Sequence, residues 1–154
     1  RNAFDQGPWP HFPAARRVAL LETMWHVLEQ RAPEICALIV AEAGAVCANV
    51  KARQFDLPMK HFRRALELAT KPEVHALPPE LSPAPGGTTT LGSAFVVRAP
   101  YGVVAAITPY NYPYFLNLTK IIPALATGNT VVLKPSPLTP FQALVIAEIG
   151  RAHV

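Results

Sequence analysis

Two short stretches of the chain decide its fold: YGVVAAITPYNYP at residues 101–113 and GNTVVLKPS at residues 128–136. Each contains a continuous apolar run, Gly102 to Ile107 in the first and Thr130 to Leu133 in the second. Such runs, bounded by glycine and proline, are typical of strands covered on both faces of a parallel sheet. The residues between them have a helical pattern. Together they predict a strand–helix–strand unit and an α/β fold.

Local signals predict the bounds of the helices in this unit. Pro123 is expected to kink or restart the first helix, and Gly128-Asn129 to stop it. After the second strand, Thr139 is the predicted N-cap of another helix, with Pro140 at its first position and Gln142 as capping-box partner. The second half of the chain therefore alternates strand, helix, strand, helix.

Residues 1–70 have helical periodicity and few other signals. Helices are predicted to begin at Pro13 and Pro33, and Gly44 is expected to end the second of them. Two more helices are predicted, over residues 45–56 and 59–69. This half of the chain is therefore expected to pack as helices against the sheet.

The chain has 17 prolines among 154 residues, about twice the ordinary share of roughly 5%. Many of them lie in residues 71–90, where no sustained hydrogen-bond ladder is expected. This segment is predicted to cross from the helices to the sheet. A strand is predicted directly after it, over residues 93–98.

Composition excludes several classes of protein. The 14 Lys and Arg exceed the 10 Asp and Glu by a net charge of +4 and are scattered, which disfavours a nucleic-acid-binding module. No apolar stretch is long enough to span a membrane, and no secretory leader pattern is recognised. Cys36 and Cys47 are interpreted as reduced core thiols, and a cytoplasmic protein is expected.

Two polar residues follow the two predicted strands. Because parallel strands end at the same edge of a sheet, Asn111 and Lys134 are expected at a common edge, where ligands bind in such folds. A rigidly held amide N–H suits an oxyanion site, and an ammonium group suits a nucleotide ribose or phosphate. The ordinary alternatives are a turn asparagine that caps its own backbone and a solvated loop lysine.

The common phosphate-binding and metal-binding patterns are absent from the sequence. Neither G-x-G-x-x-G after the first strand nor a Walker loop is present. No His, Cys or carboxylate cluster has the spacing of metal ligands, so no metal site is predicted. The scattered histidines are interpreted as structural.

At this point the residues resemble a known family. Residues 101–113, Lys120, PALATGN at 123–129, VVLKPS at 131–136 and Thr139-Pro140 look like the aldehyde dehydrogenase superfamily, with its spacing kept. FDQGPWP at residues 4–10 and Glu42-Ala-Gly44 resemble the N-terminal helices of the same family. The resemblance covers most of the chain and implies the early part of a longer, NAD- or NADP-dependent enzyme.

The resemblance implies a role for each matching residue. Asn111 would stabilise the oxyanion, and Lys120 would lie near the catalytic water or proton path. Lys134 would hold the adenosine ribose. The remaining cofactor contacts would be Ile107, Thr108, Pro109, Tyr110, Ser136 and Pro137. The substrate tunnel for a small aldehyde would be lined by Tyr112, Phe115, Leu116 and Thr119, which share one helical face.

Two departures from the family pattern limit these expectations. Many members have an acidic residue where this chain has Pro137, and since a carboxylate would repel a 2′-phosphate, NAD and NADP both stay open. Neither Cys36 nor Cys47 matches the family's nucleophile. The family's cysteine and glutamate lie further along its sequence, so the 154-residue chain alone is expected to be inactive.

The expected organisation is an incomplete α/β domain built on the first parallel βαβα unit of a Rossmann-like cofactor domain. Its parts are an N-terminal helical part (1–70), a Pro-rich crossing segment (71–90), the start of an oligomerisation hairpin (91–100), the βαβα unit (101–148) and a non-native tail (149–154). The full-length parent is expected to form homo-oligomers. A catalytically inactive scaffold or binding protein of the same fold is the alternative function.

Overall fold

The computed structural model describes residues 1–71 and 74–153, with most of its helices before residue 70. The helices are α1 (Asn2–Asp5), α2 (Ala14–Gln30), α3 (Ala32–Ala43), α4 (Cys47–Asn49), α5 (Leu57–Ala69), α6 (Pro113–Ala126) and α7 (Phe141–His153). The strands are β1 (Val74–Ala76), β2 (Glu80–Ala84), β3 (Thr88–Gly92), β4 (Phe95–Val97), β5 (Val103–Ile107) and β6 (Thr130–Lys134). The predicted α/β class is confirmed.

The parallel pair β5–β6 confirms the central prediction from the sequence. Its register pairs Val103 with Thr130 at one end and Ile107 with Lys134 at the other. The backbone N–H of Thr130 also donates to Gly102 O at 2.9 Å. Because both strands run the same way, the loops that follow them leave from one edge of the sheet.

The helices α2, α3, α5, α6 and α7 pack into one apolar core. Helices α2, α3, α5 and α6 each contribute fully buried side chains, which include Leu21, Leu28, Ile35, Ile39, Phe62, Leu118 and Ile122. Gly44, at φ 61°, ends α3 in the left-handed conformation that glycine adopts without strain, as predicted. Aromatic stacking adds to the core, since the Tyr114 and Phe55 rings lie 5.4 Å apart and nearly parallel.

Helical structure is present over most of residues 45–69, but the predicted separation into two helices is wrong. Residues 50–56 form a π-helical segment that continues without a break into α5, and Val46 before it is extended. Pro58 lies in the first turn of α5, directly after this segment. The helical spacing changes at residues 56–57, between the two predicted helices.

The expected restart of α6 at Pro123 does not occur. The helix continues from Pro113 to Ala126, and Pro123 lies in its last turn. A proline there removes only one hydrogen bond near the end of the helix, so the chain need not begin a new helix. The Pro123 carbonyl still accepts a bond from Thr127 N at 3.2 Å.

The capping box predicted for α7 is wrong. The N–H groups of Phe141 and Gln142 donate to the Glu42 carboxylate at 2.8 and 3.3 Å, and the Gln142 side-chain amide has no partner among the described residues. A carboxylate from α3 is a charged acceptor and therefore caps more strongly than a local hydroxyl. α7 also runs through most of the proposed tail, with Ile149 buried, so the core pattern does not stop at residue 148.

The prediction that residues 71–90 form no sustained hydrogen-bond ladder is also wrong. β2 and β3 form an antiparallel hairpin with five paired residues on each strand, and Pro83 pairs with Thr89. Gly86 and Gly87 supply the positive φ angles of its turn. In a two-stranded sheet each strand has a free edge, so a proline without an N–H can be accommodated. β1 and β4 form a second antiparallel pair.

Candidate functional site

Lys134 and Ile107 lie side by side at the carboxyl ends of the two parallel strands. The register pairs them directly, and both side chains are exposed, Ile107 by 72%. Ala105 and Val132, which precede them by one pleat on the same face, are exposed as well. The exposed part of this face is therefore apolar at Ala105, Ile107 and Val132, next to the ammonium group of Lys134. Ala106 points to the opposite face and is buried.

Asn111 lies in the loop that joins β5 to α6, at the sheet edge where Lys134 ends β6. Its side chain is exposed, as are those of Pro109, Tyr110 and Tyr112. The shared direction of the strands thus brings the asparagine loop and the lysine to one edge. The amide is open to a ligand that would approach this edge.

Three hydrogen bonds anchor the asparagine loop from its buried side. Thr108 N donates to Lys134 O at 3.2 Å, and Thr108 Oγ1 donates to Asn117 Oδ1 at 2.7 Å. Thr139 Oγ1 makes a longer contact of 3.5 Å with Tyr110 O. Asn117 and Thr139 were not predicted as site residues. Asn117 could have been found, because it is a polar residue on the otherwise apolar buried face of α6.

The loop after β6 holds the two remaining cofactor candidates in different environments. Ser136 is buried, and its Oγ accepts a hydrogen bond from Leu138 N at 3.2 Å. Pro137 is exposed. This loop ends at the start of α7, which Glu42 of α3 caps. The geometry of the loop therefore depends on α3 as well as on the sheet.

The predicted substrate face of α6 is partly exposed. Phe115, Leu116 and Thr119 are half-buried, whereas the opposite face of the helix lies in the core. The Phe115 ring meets the edge of His61 from α5, with centroids 5.4 Å apart. Lys120 is exposed on the same helix. Half-buried side chains that contact neighbouring residues are suited to line a binding channel.

A cavity of about 850 Å³ lies between α5, α6 and the segment that follows β4. Thr119 and His61 line it, but Asn111 and Lys134 do not. The edge that carries the asparagine and the lysine is therefore an open surface, separate from this cavity.

The cysteines differ from the prediction of two core thiols. Both are free thiols, but only Cys36 is half-buried, whereas Cys47 is exposed on α4. α4 has a single turn and no face that packs into the core, which explains the difference. Burial raises the pKa of the Cys36 thiol and so disfavours its thiolate. Cys36 is therefore a poor nucleophile.

Tyr114 is a structural residue despite its place next to the asparagine loop. Its hydroxyl donates to the Met59 sulfur at 3.3 Å, and burial raises the pKa of that hydroxyl above its ordinary value. It therefore stays protonated.

No group of three His, Cys, Asp or Glu residues could hold a metal ion in the part of the chain that the structure describes. No helix described there is both long and apolar enough to cross a bilayer.

Comparisons with known proteins agree on one family. The sequence profile of the aldehyde dehydrogenase family matches residues 1–153. A putative aldehyde dehydrogenase, FUS7, of Gibberella fujikuroi is 35% identical over 152 residues, which cover 98% of this chain and 30% of that protein. The NADP/NAD-dependent aldehyde dehydrogenase PuuC of Escherichia coli is 30% identical over 98% of this chain and 29% of its own length.

Solved structures give the same result. The betaine aldehyde dehydrogenase of Staphylococcus aureus superposes with a TM-score of 0.86 at 29% identity, over 99% of this chain and 28% of that one. The Mycobacterium tuberculosis aldehyde dehydrogenase complexed with NAD⁺ superposes with a TM-score of 0.79 at 33% identity, over 99% of this chain and 30% of that one. The chain thus spans a little under a third of the proteins that it resembles.

Proposed function

Since the chain belongs to the aldehyde dehydrogenase family, we propose that it forms the cofactor-side part of an enzyme that oxidises an aldehyde to a carboxylic acid with NAD or NADP. The observation that carries this proposal is the parallel register of β5 and β6, because it brings Lys134 and the Asn111 loop to one edge of the sheet. Ligands of open α/β sheets bind at such an edge.

The residues at this edge fit a dinucleotide. In the proposed complex, the exposed ammonium of Lys134 binds the ribose hydroxyls, and the exposed Ile107 beside it offers an apolar surface. Thr108, Pro109, Tyr110, Ser136 and Pro137 complete the cofactor contacts. The bound nicotinamide would accept the hydride. Both dinucleotides are compatible with Pro137, since it places no carboxylate near a 2′-phosphate.

Asn111 acts on the aldehyde. Its amide N–H donates to the carbonyl oxygen, which gains negative charge when a nucleophile adds to the carbon. The nucleophile comes from outside this chain, because the pKa of the Cys36 thiol is raised by burial and neither Cys36 nor Cys47 matches the family's nucleophile. Within this proposal the 154-residue chain supplies the oxyanion donor but not the group that attacks.

The substrate lies along the half-buried face of α6. Tyr112, Phe115, Leu116 and Thr119 would line the channel, and the Phe115–His61 contact keeps one wall in place. Lys120, exposed on the next part of the helix, would lie near the path of the catalytic water or proton. Aromatic and aliphatic walls favour an apolar aldehyde.

The hairpin is proposed as an oligomer contact. Leu81 and Leu91 are a directly paired couple on β2 and β3, and both are exposed. Phe95 on β4 is exposed as well. Apolar side chains of this size on a free sheet edge are typical of a surface that a second copy covers.

Substitution of Asn111 tests the proposed function directly. In the full-length enzyme that carries this segment, Asn111→Ala is expected to lower kcat by about 10² to 10³-fold. The KM for the aldehyde should change little, because the lost bond forms mainly in the transition state. Steady-state NADH formation measures both constants.

Two controls accompany this experiment. Asn49→Ala makes the same chemical change at an exposed position on α4 and should leave both constants unaltered. The 154-residue chain alone should form no NADH from an aldehyde. An Asn111→Ala enzyme with the kcat of the wild type would contradict the proposed role of Asn111, whereas a full-length protein that forms no NADH from an aldehyde would favour a scaffold of the same fold.

A further inference from the structure

The side chain of Asn111 is exposed, so its direction depends on the loop that carries it. That loop spans only the residues between the end of β5 and Pro113 at the start of α6. Pro109 has a fixed φ angle, which leaves the loop few ways to turn. Whatever fixes Thr108, at the start of the loop, therefore also fixes the direction in which Asn111 points.

Thr108 is fixed by both its backbone and its side chain. Its N–H donates to Lys134 O at 3.2 Å, which continues the ladder between the two strands by one bond. Its hydroxyl donates to Asn117 Oδ1 at 2.7 Å. The hydroxyl bond is buried, because Thr108 is 5% and Asn117 is 1% exposed.

Asn117 has no evident packing reason to be polar. Its neighbours on the buried face of α6 include Tyr114, Leu118, Ile121 and Ile122. Asn117 Nδ2 is buried and has no hydrogen-bond partner among the described residues, which is unfavourable for stability. Among the described residues, the bond that its oxygen accepts from Thr108 is thus the one hydrogen bond of the Asn117 side chain.

We infer that Asn117 is a positioning residue for the reaction, which acts through Thr108 to orient the Asn111 amide. The inference rests on the proposed function, since it assigns Asn117 a role only if Asn111 stabilises the oxyanion. Asn117 itself is buried in α6 and touches neither substrate nor cofactor. Its contribution is to the angle and position of a donor that must meet the developing charge.

Asn117→Leu in the full-length enzyme that carries this segment tests the inference. We expect kcat to fall about 10- to 100-fold, because a shift of about 1 Å in a reacting group can cost 10²-fold. The KM values for the aldehyde and for NAD should stay within about twofold, since the effect is on the transition state. Thr108→Val removes the same bond from the other side and should lower kcat equally, and Thr108→Ser, which keeps the hydroxyl, should retain a higher kcat than Thr108→Val.

Two further variants separate positioning from a general loss of stability. Ile122→Val shortens a fully buried side chain on the same helix and should lower the melting temperature without lowering kcat. In an Asn111→Ala background, Asn117→Leu should cause no further fall in kcat, because the donor that it orients is gone. An additive fall, or a rise in the KM for NAD, would show that Asn117 acts elsewhere and would overturn the inference.

The remaining outcomes also decide the matter. If Asn111→Ala lowers kcat but neither Asn117→Leu nor Thr108→Val does, the inference is wrong and the proposed function stands. If Asn111→Ala leaves kcat unchanged, the proposed role of Asn111 is wrong and the inference falls with it. Should Asn117→Leu fail to fold, Thr108→Val supplies the same comparison.

Discussion

Single residues of this chain have chemical properties that follow from their surroundings. Cys36 on α3 is half-buried, and burial raises the pKa of its thiol, whereas Cys47 on α4 is exposed. Alkylating reagents react with the thiolate, so a raised pKa and restricted access both slow the reaction. The sequence alone, in which both cysteines lie in helix-like surroundings, did not distinguish them.

We expect iodoacetamide at pH 8 to modify Cys47 several-fold faster than Cys36. Raising the pH should increase the rate at Cys36, because a thiol with a raised pKa is still mostly protonated at pH 8. Mass spectrometry of peptides after timed quenching measures both rates. Cys47→Ser should remove the fast reaction and leave the slow one, and equal rates at the two cysteines would contradict the structure.

Asn111 and Lys134 show which candidate residues can be placed in the fold from the sequence. Each follows an apolar run closely, so the direction of the strands was enough to bring them to one edge. Thr139 could not be assigned in the same way. Its local pattern predicted a helix cap, but its hydroxyl contacts Tyr110 O in another loop, and only the tertiary structure shows this.

At the scale of elements, the start of α7 depends on α3. Glu42 accepts hydrogen bonds from the backbone N–H groups of Phe141 and Gln142. These groups have no partner within the helix, so the carboxylate supplies what a cap residue would normally supply. The cap also fixes the end of the loop that contains Ser136.

We expect Glu42→Ala to lower the free energy of unfolding by about 1 kcal/mol, the usual cost of a lost helix cap. Urea unfolding followed by circular dichroism measures the change. Glu42→Gln keeps a neutral acceptor and should lose less. Glu29→Ala, which removes an exposed glutamate from α2, is the matched control and should be close to neutral. A Glu42→Ala protein as stable as the wild type would show that the cap contributes nothing.

The elements predicted well are those whose signals are local. α2 begins after Pro13, α3 ends at Gly44, and β5 and β6 match their apolar runs, because proline, glycine and periodicity act within a few residues. The β2–β3 hairpin was missed, since its prolines argue against a ladder and only pairing with a partner strand stabilises it. Helix capping by Glu42 was missed because the partners are distant in sequence.

At the scale of the whole molecule, apolar surfaces stay open. One is the face of the β5–β6 sheet with Ala105, Ile107 and Val132, and another is the hairpin with Leu81 and Leu91. Parallel sheets normally bury both faces. The relatives are about three times longer than this chain, and additional chain of that size could cover the first surface.

We expect the purified 154-residue chain to associate at micromolar concentration, because association removes these apolar surfaces from water and so lowers the free energy. Size-exclusion chromatography with light scattering measures the mass. Leu81→Ser combined with Leu91→Ser should reduce association, whereas Thr88→Ser on the same hairpin should not. A wild-type chain that is monomeric and unfolds in one sharp thermal transition would contradict this expectation.

The bond between Glu42 and Phe141 N joins residues 99 positions apart. On a ribosome, α3 leaves the exit tunnel well before the residues that it caps have been added. At about 5–20 residues per second, this interval is roughly 5 to 20 s. During translation, α7 therefore acquires its cap from a helix that was synthesised much earlier. If nascent chains are stalled at increasing lengths and the pulling force of their folding is measured, the step that joins α3 to α7 should appear only after α7 has left the exit tunnel.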